Sequence, residues 1–205
     1  MKDARGLDVT GNDAAAVAAA DDFAARLLRL DQGVEAILDA AKRWPDTPII
    51  PLYAAAFWLY GQTEGAIENA AAHLRACDAL AMNARERALH RALALWHGND
   101  NLRAVEALEA MTTEWPSDLL SAKIAEFLYY VLGQQYMGPR FRGTCAVSKA
   151  RTRAIRIFSQ WRPSPASCAA TPSPPRRSRN ARSALSRETR GRSTPSPTSS
   201  SARAA

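Results

Sequence analysis

This 205-residue chain carries little that could serve as reactive or metal-binding chemistry, with three histidines and three cysteines in all. Cys77, Cys145 and Cys168 have none of the paired spacings that hold zinc, which points to a reduced, cytoplasmic setting with a buried thiol at Cys77. His90 and His97 share one expected helix, but no cysteine or carboxylate stands where it would complete a site with them or with His73. No metal or cofactor is expected. Nor does the chain contain a Gly-x-Ser-x-Gly elbow, a Walker-type loop or a dinucleotide fingerprint, so catalysis is not expected either. Long apolar runs are missing too. Ile49 to Tyr60 has the length of a buried core helix and is too short to cross a bilayer. The Ala14 to Ala20 run lies between Asp13 and Asp21 with no basic stretch before it, unlike a secretory signal. Strand-type alternation of Val, Ile and Thr is absent.

The end of the chain lacks acid. Positions 143–205 hold 13 Lys and Arg against one acid, a net of +12, whereas positions 1–142 hold 14 against 19, a net of −5. The basic character of the whole therefore belongs to the tail. Most of that tail is Ala, Arg, Ser, Pro or Thr, and only Val147, Ile155, Ile157, Phe158 and Leu185 represent Leu, Ile, Val and Phe. Too few apolar groups are present to offset the entropy of ordering, so residues 143–205 are expected to be a disordered tail. The same residue set is what GC-rich DNA yields out of register, which suggests a frameshift near codon 143. Residues 1–142 form the expected folded domain.

That domain is rich in alanine, which fills more than a fifth of positions 1–142, and alanine is the strongest helix former. The first helix is expected to start at Asn12 or Asp13 and run to about Leu30, with Phe23, Leu27 and Leu30 on its apolar stripe. The next runs from near Gly33 to Trp44-Pro45, and a third from Pro51 to Gly61. A fourth covers about Glu64 to Leu80, with Ile67, Ala70, Leu74 and Cys77 on one face. In the fifth, Asn83 and Glu86 form a capping box and Gly98 is expected as a left-handed C-cap. A sixth spans about Asn101 to Thr113, and a seventh starts at Ser117 or Asp118 and stops at Gly133.

These helices repeat. Val34-Glu35-Ala36-Ile37 returns as Val105-Glu106-Ala107-Leu108, and the same offset carries Trp44-Pro45 onto Trp115-Pro116 without a gap. Gly61, Gly98 and Gly133 punctuate the chain at close to half that offset. A unit of about 35 residues is that of tetratricopeptide helix-turn-helix repeats. Before Pro45 stand Gly33, Ile37 and Ala40, and before Pro116 stand Ala104, Leu108 and Met111, the small and large residues that crossing helices need. The fold class expected is all-α, a truncated tetratricopeptide-like helical-hairpin solenoid.

Several segments also resemble the amino-terminal part of the tetratricopeptide repeat protein 38 family. They are Lys2-Asp3-Ala4-Arg5-Gly6-Leu7 with Thr10, Asn83-Ala84-Arg85-Glu86-Arg87-Ala88-Leu89-His90, His97-Gly98-Asn99, and Trp115-Pro116-Ser117-Asp118-Leu119-Leu120 running to Gly133. The resemblance covers residues 3–142 and implies a helical-repeat fold with further pairs beyond; it implies no catalytic residue.

The first helices of such pairs line a concave face where partner proteins dock. With Leu89, Ala92, Leu93 and Trp96 as the packed stripe of the fifth helix, Arg87, His90 and Arg91 remain for a carboxylate-bearing partner. Lys123, Glu126, Tyr129 and Tyr130 are the corresponding candidates in the seventh. The expected function is a protein-interaction scaffold. The last pair is expected to lack its second helix, leaving Leu119, Leu120, Ile124, Leu128 and Val131 as an open apolar face prone to self-association. A different reading gives the tail a salt-dependent affinity for polyanions, without sequence-specific nucleic-acid recognition.

Overall fold

The computed structural model describes residues 1–133, 140, 142–144 and 146. Seven α-helices fill the continuous part: α1 (Ala14–Arg29), α2 (Ala36–Arg43), α3 (Ile49–Gly61), α4 (Ala66–Asp78), α5 (Ala84–His97), α6 (Asn101–Glu114) and α7 (Leu119–Leu132). No strand occurs among the described residues, only an isolated antiparallel bridge between Lys2 and Asp8.

Local chemistry sets most helix ends. Asp13, Asn83, Asp100 and Asp118 each accept a backbone N–H of the first turn that follows, at Ala15, Glu86, Arg103 and Ser121. Such caps satisfy donors that the helix itself cannot. The capping box of α5 is complete, with the Glu86 carboxylate returning to the Asn83 N–H at 2.9 Å. Gly98 is not the left-handed residue after α5 (φ −75°); Asn99 takes that conformation instead, at φ 61°. Helix α3 begins before Pro51, at Ile49, because Pro48 already holds helical backbone angles.

The repeat is visible in the backbone. Trp44 and Trp115 end α2 and α6 with nearly the same angles, φ −128° and ψ 58° against φ −120° and ψ 73°. Each donates its N–H back into its helix, to Ala40 at 2.8 Å and to Met111 at 2.7 Å, and each carbonyl then accepts from the chain beyond, at Thr47 or Asp118. The helices pack chiefly against sequence neighbours, α3 on α4, α5 on α6 and α6 on α7, the order of a helical-repeat fold.

Helices α3, α5 and α7, the inner helices, also make contacts beyond their sequence neighbours, α3 with α1 and with α5, and α7 with α1. Helix α3 is buried along Ile49–Ala56 and at Leu59, the signature of a helix surrounded on all sides. It packs on α1, α2, α4 and α5. Helix α1 also touches α7. Phe23 of α1 lies 5.4 Å from Tyr53 of α3, centroid to centroid.

Three expectations fail on burial. Leu30 is 77% exposed because it adopts the left-handed C-cap of α1 and leaves the stripe of Phe23. Ile67 is 51% exposed, and Ala66 is buried in its stead. The open apolar face expected on α7 does not exist: Leu119, Leu120, Ile124 and Leu128 are buried, and only Val131 is exposed, at 46%. Helices α6 and α1 pack on α7. Nor does the chain stop being helical at Gly133, since residues 140, 142–144 and 146 are helical. Arg140 holds Glu109 of α6 through two nitrogens, at 3.1 and 2.8 Å. Residues 147–205, most of the expected disordered tail, lie outside the described residues, as do Cys145 and Cys168.

Candidate functional site

Two clusters stand at opposite ends of the inner helices. At the N-terminal ends of α5 and α7 is a buried polar junction. Arg85 and Asp118 are each only 3% exposed and pair at 3.1 Å. A second guanidinium nitrogen of Arg85 donates to the Asp8 carbonyl at 3.1 Å. Burial works against the Arg85 charge, yet Tyr53 and Asp118 beside it more than offset this and raise its pKa above the ordinary value. The Tyr53 phenol, fully enclosed, is pushed up to about 12 by burial. Both residues are therefore fixed in their ordinary charge states at neutral pH. Arg85 does no acid–base work.

The junction is closed by an N-terminal arm, residues 1–10. The Asp3 carboxylate accepts the N–H groups of Arg5 and Leu7 at 2.9 and 2.8 Å, shaping a tight turn in which Gly6 has φ +79°. Asp21 of α1 accepts from Ala4 N–H at 2.9 Å and from the Arg5 guanidinium at 3.4 Å. Burial raises the Asp21 pKa, working against those two contacts. Thr10 N–H donates to the Glu86 carboxylate at 2.8 Å, and Asn83 donates to the Asp8 carbonyl at 3.1 Å. Leu7 and Val9 are buried, Val9 within the main core.

At the C-terminal ends of α3, α5 and α7 lies an aromatic cluster. Tyr60, Trp96 and Phe127 are mutual neighbours, with centroids 5.4, 4.7 and 5.6 Å apart. Tyr60 and Phe127 are half-buried, so the cluster reaches the surface. Among the described residues the Tyr60 hydroxyl has no hydrogen-bond partner. Burial, with the Glu126 charge adding to it, lifts its pKa well above the ordinary value. Beside it Lys123 and Glu126 pair at 2.7 Å, one turn apart on α7.

The seven residues singled out from the sequence do not form one groove. Arg87 and Arg91 are exposed on the face of α5 opposite the buried Leu89 and Trp96, and Arg87 donates to the Met82 carbonyl. His90 turns toward α4, with Nε2 3.2 Å from the Leu74 carbonyl and 3.4 Å from Asp78. Tyr129 is buried, its hydroxyl donating to Glu109 of α6 at 2.6 Å. Only Lys123 and Glu126 stand at the aromatic cluster, while the neighbouring Tyr130 is 58% exposed. Sequence reasoning missed Tyr60 and Phe127 as a pair, and Arg85 and Asp118 as another. A usable signal for the latter existed, since the offset that carries Trp44 onto Trp115 also carries Thr47 onto Asp118, and both open an inner helix.

Among the described residues no group of three or more His, Cys, Asp and Glu lies together as a metal site, and no helix is long and apolar enough to cross a membrane. No family model, no curated protein and no solved structure matches this chain.

Proposed function

We propose that this chain is a protein-interaction scaffold of the tetratricopeptide kind, akin to the tetratricopeptide repeat protein 38 family, working in the cytoplasm without a cofactor or covalent step. The observation that carries the reading is the aromatic cluster in which Trp96 is buried and Tyr60 and Phe127 are half-buried at the surface. Successive inner helices supply one ring each, flanked by the Lys123–Glu126 pair. Aromatic side chains offer large contact area at low entropic cost, which is why they dominate partner recognition.

A photo-reactive amino acid at Tyr130, compared with the same chain bearing Lys123→Glu and Phe127→Ser, tests this. A discrete cross-linked partner that disappears in the double variant supports the reading. An unchanged cross-linking pattern in a folded variant overturns it. A second reading rests on the net charge of +12 in residues 143–205, which attracts polyanions by counterion release. Nucleic-acid binding measured at two salt concentrations, with and without residues 143–205, tests it. Binding that survives the deletion removes the tail from consideration.

A further inference from the structure

We propose that the seat of the N-terminal arm is a peptide-docking site, filled in the free chain by residues 1–10 and open to a partner segment with the same arginine–x–leucine–x–valine pattern. This deepens the scaffold reading, on which it rests, by placing a recognition site at the end of the inner helices remote from the aromatic cluster.

The arm is held as a ligand is held. It joins Glu86 across 76 positions of sequence. Its main chain is read at three points by side chains fixed on other elements: Ala4 N–H by Asp21, Thr10 N–H by Glu86, and the Asp8 carbonyl by Asn83 and Arg85. Three side chains add specificity. Arg5 meets the Asp21 carboxylate, and Leu7 and Val9 are buried. The seat is also organised independently of the arm. Glu86 and Asn83 hold each other in the capping box, and Asp118 holds Arg85. Fixed groups of this kind lower the cost of binding. Asp21 selects a cationic side chain at the position of Arg5. Gly11 follows the arm at φ +130°, a region open to glycine alone, and marks where it can swing away.

A tether this short gives the arm a millimolar effective concentration at its own seat, so a peptide in trans must compete with it. The test uses a fluorescent synthetic peptide of residues 1–12, titrated against the full chain and against the full chain bearing Arg5→Ala and Leu7→Ala. Binding at least about tenfold tighter to the weakened-arm chain is expected, with loss of binding for a peptide carrying Arg5→Glu and Val9→Asp. Equal binding to both chains, or no binding to a weakened-arm chain of native helicity, overturns the proposal. Should that variant not fold, a photo-cross-linker at position 7 of the peptide, supplied in excess over the millimolar effective concentration of the tethered arm, decides the matter on the wild-type chain. Cross-links to α1 and the start of α5 support the seat, and their absence refutes it. Retained capture at Tyr130 alongside a negative result here would remove the seat and leave the aromatic-cluster reading standing.

Discussion

Asp118→Asn separates the charge of the buried junction from its role as a helix cap. An asparagine still accepts the Ser121 N–H that Asp118 accepts at 3.1 Å, so α7 keeps its start. What changes is Arg85. Its guanidinium stays enclosed at 3% exposure, with the Asp8 carbonyl remaining but no opposing charge at 3.1 Å. Breaking one side of a buried pair costs about 3–5 kcal/mol, because the surviving charge is desolvated without compensation. For a domain whose total stability is of order 5–15 kcal/mol, that is a large share. With a urea slope of about 2 kcal/mol per molar, the unfolding midpoint should fall by about 1.5–2.5 M, followed by far-ultraviolet circular dichroism. Arg85→Met should cost a similar amount by stranding Asp118. The double variant should recover at least half of the summed loss, since no lone charge remains. If each single substitution costs under about 1 kcal/mol and the two simply add, the junction is not a coupled pair and the account of the inner helices fails.

Two further outcomes are expected. Cys77 is buried, and burial pushes its thiol pKa up to about 12, so labelling by a thiol reagent at mildly alkaline pH should be slow in the native chain and fast in urea; equal rates would show that the packing of α4 on α3 and α5 does not enclose it. His73 is half-buried, and burial lowers its pKa below the ordinary 6.5. The unfolded chain then binds its proton more readily, so stability should fall as pH drops below 6.5 toward the folded-state value. His73→Gln should flatten that part of the pH profile, and an unchanged slope would place the titrating group elsewhere.

What the sequence revealed about the fold was local or periodic. The cap at Asn83 was legible, and those at Asp13 and Asp118 to within one residue, because a short side chain and the next turn's N–H groups are adjacent in sequence. The Trp-Pro endings of α2 and α6 were legible because one repeat offset preserves both residues and backbone. Leu30 misled because the stripe was extrapolated past the residue where the chain turns out of α1, and Ile67 because the buried stripe of α4 runs through its neighbour Ala66, with Ala70, Leu74 and Cys77. Arg85 was illegible for a different reason. A charged residue one step inside a helix reads as solvated, and only the return of residues 3–10 onto α5 and the arrival of Asp118 from α7 bury it. Those contacts span many positions and leave no periodic trace. Of the candidate groove residues, Lys123 and Glu126 stand beside the aromatic cluster, whereas Arg87 and Arg91 are exposed on another face and His90 turns to α4, directions that helix packing decides.

The long reach of the arm bears on how the chain comes to be folded. A simple array can consolidate each unit as it leaves the ribosome. Here residues 8–10 have no seat until Asn83, Arg85 and Glu86 have been made, and Arg85 has no counter-charge until Asp118 follows. The first stretch synthesised thus settles late, and an unfinished chain presents Leu7 and Val9 to solvent, or to a chaperone, until the chain has emerged at least as far as Glu86.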